Sequence, residues 1–317
     1  MQKERIVAID LLRVIAVSMV ILSHALITLS SSWPGPGQAH FGLFPFYWNT
    51  WGEIGVTIFL VISGFGLGYT YRGQRICLAP FVLRRVIKIY PVYYFSLLFA
   101  LAINIGIAMR SSLLLDSPFS VLPGFGWTDF MLALTGLNAF AGKWGGPLVW
   151  SSWFIGLIMT MYLSYPLIAQ GLKRSPWLCL GLLFCISYIS RIVVADSVIL
   201  SGNQMHWFPL NRVFEFGVGV ALEQLIPHSV FASTNVGFRK LGFLPFLGDL
   251  SFPLFLIHDP LRQVMTWEPR APLYSLMSVL VFIAASVLLS VAALKFNERM
   301  KALIGGRYPT LSKCVIG

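Results

Sequence analysis

Residues 10–24, DLLRVIAVSMVILSH, decide how this chain is read. They lie inside an apolar run from Ile6 to Leu29, long enough to cross a bilayer as a helix, yet the run holds Asp10, Arg13 and His24. A charged group at the centre of a membrane helix costs roughly 2.5–3.5 kcal/mol on insertion scales, so such groups face a bundle interior or a wet cavity. Eleven steps of about 100° lead from Arg13 to His24 and return to within about 20° of the starting direction, while about 1.5 Å of rise per step separates them by roughly 16 Å. The two side chains therefore line one face at two depths. Asp10, three residues before Arg13, shares that face and is its expected ion-pair partner. A plainer reading has Asp10 and Arg13 pairing near the cytoplasmic end while His24 hydrogen-bonds a neighbouring helix.

Composition sets the class. Of 317 residues, 57% are hydrophobic and 11% charged, and the mean hydropathy of +0.77 is that of a polytopic helical membrane protein. Apolar runs continuous for about twenty residues exclude a barrel of alternating strands of about ten. The net charge of +11 does not point to nucleic acid, because Lys and Arg gather at the ends of apolar runs, as the positive-inside rule expects. Cys77, Cys179, Cys185 and Cys314 show neither metal-ligand spacing nor a secreted framework, so the sequence predicts neither a disulfide nor a metal site. The opening MQKER resembles a signal peptide, but the run after it is too long and holds Asp10 and Arg13.

The expected fold is all-α, a transmembrane bundle of about 8–10 spans forming one domain over 1–317, with a core over 6–296 and a short cytoplasmic tail over 297–317. Spans are predicted near 6–29, 52–71, 86–109, 150–174, 177–194, 207–225, 243–265 and 272–296. Segment 127–141 is short for a crossing. Burying it part-way keeps the N-terminus, the 72–88 basic cluster, Lys173/Arg174, Arg239/Lys240 and the Lys295–Lys313 tail on one, cytoplasmic side. Ser63, Gly64 and Gly66 are expected to permit close helix approach. Trp33, Tyr47, Trp48 and Trp51 have the character of an interfacial belt.

Three further constellations stand out. Arg84, Arg85 and Lys88 occupy i, i+1 and i+4 at a helix start, so Arg84 and Lys88 share a face, and their chemistry suits phosphate. Positive-inside loops look basic in any case, so a purely topogenic role is the alternative. Arg212 and Glu215, three apart, predict an ion pair. Ser251 and His258 lie two turns apart on nearly one face of GDLSFPLFLIHDP.

Taken in order, DLLRVIAVSMVILSH, GVTIFLVISGFGLGY, LRRVIKIYPVYY, WFIGLIMTMYLSYPLI, RVFEFGVG and LSFPLFLIH resemble the integral-membrane acyltransferase family 3, over about residues 6 to 295. Three features depart from that pattern. Lys88 stands where relatives more often have Arg, keeping the charge but losing the planar fork. Ile158 stands where many relatives carry a glutamate five residues after the Trp that Trp153 matches. The stretch 225–243 lacks a helix that longer relatives possess.

The resemblance implies an O-acyltransferase of a bacterial inner membrane, moving an acetyl or short acyl group from cytoplasmic acyl-coenzyme A to a hydroxyl of a surface polysaccharide or lipid-linked sugar. Acetyl-coenzyme A would be a donor substrate, with no permanently bound cofactor, no metal, and no nucleic-acid partner; membrane lipid surrounds the chain. On this reading Arg84, Arg85 and Lys88 hold the donor's phosphates, Arg13 (paired with Asp10) flanks its entry, and His24 acts as general base or as a transient acyl carrier. Trp153, Ser63 or His258 would supply oxyanion donors, with Ser251 in the same polar set, and Arg212 and Glu215 would shape the cavity. A proton-coupled transporter also fits buried Arg, His and Glu, although the paired halves common in such folds are absent from the sequence. A non-catalytic scaffold is the third class, kept open by Ile158. Thioester consumption separates an enzyme from both.

Overall fold

In the computed structural model, residues 5–30, 40–41, 44–45, 48–74, 76–110, 126–140, 148–196, 207–226, 242–265 and 272–307 are described. The helices are α1 (Val7–Ser30), α2 (Trp48–Tyr71), α3 (Leu78–Arg110), α4 (Trp127–Thr135), α5 (Trp153–Arg174), α6 (Pro176–Asp196), α7 (Val213–Leu225), α8 (Leu244–Met265) and α9 (Pro272–Arg307). Two two-residue strands, β1 (His40–Phe41) and β2 (Phe44–Pro45), pair antiparallel. The chain is thus an all-α bundle, as its composition predicts. Among the described residues, six helices (α1, α2, α3, α5, α6 and α9) are long and apolar enough to cross a membrane. Helix α8 has the length but carries Asp249, His258, Asp259 and Arg262. It sits inside, against α1, α3 and α9, where polar groups in a membrane bundle belong.

Several boundaries differ from the sequence reading. α3 starts at Leu78, so Arg84, Arg85 and Lys88 lie within the helix. The span expected over 207–225 is a 3-10 turn, Pro209–Arg212, followed by the 13-residue α7, because Arg191 donates to the Asn211 carbonyl and holds the turn open. α4 has nine residues, roughly 13 Å, too short to cross. Against the rest of the protein it buries Ala133, and Trp127 is 66% exposed. Tyr90 and Tyr93 fix its end by donating to the Thr135 and Ala133 carbonyls, two of the groups a helix C-terminus leaves open. The expected tail is helical as far as Arg307. Trp33, Tyr47, Arg239, Lys240, Lys313 and the 227–241 stretch lie outside the described residues.

Close packing centres on α2. A Cβ on Gly64 would strike the Phe216 carbonyl of α7, and one on Gly219 would strike the Val61 carbonyl in return. Gly66, expected to play the same part, meets nothing within 4 Å. Phe59, Phe154 and Phe255 join α2, α5 and α8 in the core. Cys77 is held in a disulfide, contrary to the sequence expectation, because spacing along the chain says nothing about which distant segments meet. Cys179 and Cys185 are free.

Candidate active site

The polar face of α1 turns onto α8. Asp10 packs against Gly248, where an added Cβ would meet its side chain, and His24 meets His258, so the two helices run parallel with their polar residues matched at two levels. The sequence reading puts Asp10, Arg13 and His24 on one face of α1; it does not say which helix covers that face.

At one level, the rings of His24 and His258 stack with centroids 5.0 Å apart, and His24 Nδ1 lies 2.8 Å from His258 Nε2. The proton positions follow from the next contact. His258 Nδ1 lies 3.0 Å from the Leu254 carbonyl, and a carbonyl only accepts, so Nδ1 of His258 carries the proton. In the neutral ring Nε2 is then an acceptor, and His24 Nδ1–H donates to it. That tautomer puts the basic lone pair of His24 on Nε2. It also corrects one expectation: with its single proton committed to Leu254, His258 has none to offer an oxyanion and instead orients His24.

Asp259 follows His258 and is 1% exposed. It accepts from the Ser151 backbone N–H at 2.5 Å and stands 3.6 Å from Arg262. Ligand-type atoms of His24, His258 and Asp259 all lie within 4.8 Å, a donor set that a metal ion uses. However, the two imidazole nitrogens are closer than the roughly 3.3 Å that tetrahedral co-ligands of zinc would keep. Their spacing is that of a hydrogen bond.

The remaining residues of the expected polar cavity fall in several places. Trp153 stacks on Trp207 at 5.3 Å. Arg212 and Glu215 pair at 3.5 Å as predicted, and Arg191 joins Glu215 at 3.0 Å. Arg212 also donates to the Thr57 hydroxyl at 3.1 Å. Ser63 is not brought to His24. Antiparallel packing sets Gly52 against Ser23 and Gly55 against Ala16, which leaves Ser63 roughly 16 Å further down α2. Ser251 donates to the Gly248 carbonyl of its own helix at 2.7 Å, about 10 Å below His258.

At the other level, Asp10 has a stronger partner than the one predicted. Arg5 bridges it in bidentate fashion, Nε to Oδ2 at 2.7 Å and Nη2 to Oδ1 at 3.0 Å, and reaches Asp249 at 2.9 Å. Arg13 joins at 3.2 Å. Hydrogen bonds to Asp10, opposed by burial, push the Arg5 guanidinium above its already high ordinary pKa. Lys88 is exposed, although Arg13, Arg85, Lys301 and Asp249 all act on it electrostatically. Charges from α1, α3, α8 and α9 thus gather around Lys88 at this level. Arg85 points elsewhere. Its guanidinium lies 5.4–5.6 Å from the Tyr71, Phe81 and Tyr162 rings and donates to the Tyr71 hydroxyl at 3.2 Å. Arg84 lies over Tyr71 at 5.9 Å.

Sequence reading missed Arg5, Ser151, Asp249, Asp259, Arg262 and Lys301. Asp259 and Arg262 were visible as an i, i+3 pair beside His258; Arg5 was absorbed into a topogenic cluster; the others carry no local signal. Ile158, where many relatives have glutamate, is 2% exposed within the apolar core.

A family model described as an acyltransferase domain matches residues 6–234. Acyltransferase MdmB of Streptomyces mycarofaciens is 24% identical over 210 residues, 59% of this chain and 50% of the relative. The chain thus spans about half the length of the curated relative it matches. No solved structure matches it.

Proposed function

We propose, for a chain that belongs to acyltransferase family 3, that it is a membrane O-acyltransferase taking an acetyl or short acyl group from acyl-coenzyme A to a saccharide hydroxyl. The observation that carries this reading is the His24–His258 hydrogen bond, set three turns along one helix face from Arg13, whose charge acts on Lys88.

Anionic phosphates of the donor meet Arg13 and Lys88, and the pantetheine arm extends along the α1–α8 seam toward His24. Its thioester carbonyl then stands within reach of Nε2. The acceptor hydroxyl gives its proton to His24 Nε2 as its oxygen bonds the thioester carbon. Collapse of the tetrahedral adduct breaks the C–S bond, and the departing thiolate takes the proton from the imidazolium. His258 supports both steps by holding the Nδ1–H of His24, which fixes the ring and stabilises the cation while it lasts. Base catalysis is favoured over a covalent acyl carrier, because the dyad is built to stabilise the protonated ring. Arg212, Glu215 and Trp153 lie near the acceptor's side and shape its approach.

Membranes carrying the wild-type chain are expected to transfer label from acetyl-coenzyme A into glycan esters, and His24→Ala to abolish transfer while remaining inserted and folded. Transfer at the wild-type rate by that variant would overturn the assignment.

A further inference from the structure

A cavity of about 770 Å³ opens between α2, α5, α6 and α7, away from the His24–His258 pair, from which the packed layer of Leu60, Leu157, Ile158 and Met161 divides it. Its polar wall is assembled from Arg72, Gln74, Gln170, Lys173, Glu223 and Gln224. Arg72 is held in place by Glu223, 3.5 Å away, which is 1% exposed. Gly68 makes room for that carboxylate, since a Cβ there would crowd its side chain at 3.1 Å. Fixing a cation with a buried carboxylate spares an incoming anion the entropy of ordering it.

The rim has the opposite character. Leu225 lines the cavity, and Leu167 and Trp177 follow the lining prolines Pro166 and Pro176; all three are exposed, Trp177 to 79%. α6, the helix carrying Trp177, is buried over only 17% of its candidate span, so an apolar, largely uncovered helix stands beside the cavity. Two cations and three amides beneath an apolar, tryptophan-bearing rim match an amphiphile with an anionic, hydroxyl-bearing head.

We propose that this cavity is a binding site for the headgroup of an anionic phosphoglyceride, with the phosphodiester between Arg72 and Lys173, the glycerol hydroxyls on the glutamines and the acyl chains leaving over Leu225 and Trp177. The site is separate from the acyl-transfer site and does not depend on its chemistry.

The test titrates the purified full chain in detergent micelles with phosphatidylglycerol, phosphatidylcholine, inorganic phosphate or acetyl-coenzyme A, reading bound lipid by native mass spectrometry and Trp177 by fluorescence. Phosphatidylglycerol is expected to bind more tightly than phosphatidylcholine, and neither inorganic phosphate nor acetyl-coenzyme A to displace it. Exposed Lys173 can be changed without disturbing the core, and Lys173→Gln is expected to weaken phosphatidylglycerol about fivefold at unchanged phosphatidylcholine binding. Replacing the pair together, Arg72→Gln with Glu223→Gln, leaves no unpaired buried charge and is expected to weaken it further. Equal binding of the two lipids, or no effect of Lys173→Gln, overturns the proposal. Displacement by acetyl-coenzyme A would assign the cavity to the acyl donor instead, and displacement by phosphate to a free anion.

Discussion

A single carbonyl sets the chemistry of the His24 imidazole. Because Leu254 can only accept, His258 must donate through Nδ1, and the acceptor left at its Nε2 fixes the tautomer of His24. His258→Phe keeps ring volume but removes that acceptor. We expect it to lower kcat about a hundredfold, with donor KM unchanged, in steady-state assays with acetyl-coenzyme A. His258→Gln, whose amide oxygen can accept the same bond, is expected to restore part of the rate. A matching fall in both variants would reduce His258 to a packing residue. His24 was legible in the sequence as an expensive polar group on a membrane helix, but its partner was not. His258 appeared as one member of a loose polar set, since sequence spacing reports faces within one helix and not which helices face each other.

Helix contacts separate residues that look alike in sequence. Gly64 and Gly66 stand in the same GFG stretch, yet a Cβ at Gly64 would meet a backbone carbonyl of α7 and one at Gly66 would meet nothing. Gly64→Ala is therefore expected to lower the melting temperature, by the 1–3 kcal/mol or so of an overpacked contact, whereas Gly66→Ala leaves it unchanged in the same thermal-shift assay. The basic stretch of α3 divides in a similar way. One helix turn sends Lys88 toward α1, α8 and α9 and Arg85 into a nest of aromatic rings from α2, α3 and α5. A sequence reading that groups Arg84, Arg85 and Lys88 as one phosphate site captures their charge but not this divergence.

Across the whole molecule, the proposed donor capture draws on charges that four helices bring together around Lys88. Lys88→Ala is expected to weaken acetyl-coenzyme A binding and to flatten its dependence on salt, because a screened cation is removed from the path of an anion. Arg85→Ala is expected to act mainly on stability, by about 1–2 kcal/mol from lost ring contacts. Equilibrium binding in detergent at two ionic strengths, beside thermal unfolding, distinguishes the two. If Arg85→Ala reproduces the binding defect at full stability, the phosphate site extends to it. The sequence by itself determined the helical membrane class, the family, and the polar face of α1, because hydrophobic run length and helical spacing are local properties that survive without neighbours. Only the tertiary structure decided that α8 covers that face, that Arg5 rather than Arg13 is the main partner of Asp10, and that α4 rests on two tyrosines at the bundle surface. The contacts of α1 and Arg5 with α8 join residues 234 to 244 positions apart, the tyrosines reach α4 across 40 to 45, and Arg5 lies before α1 begins, so spacing within one helix reports none of them.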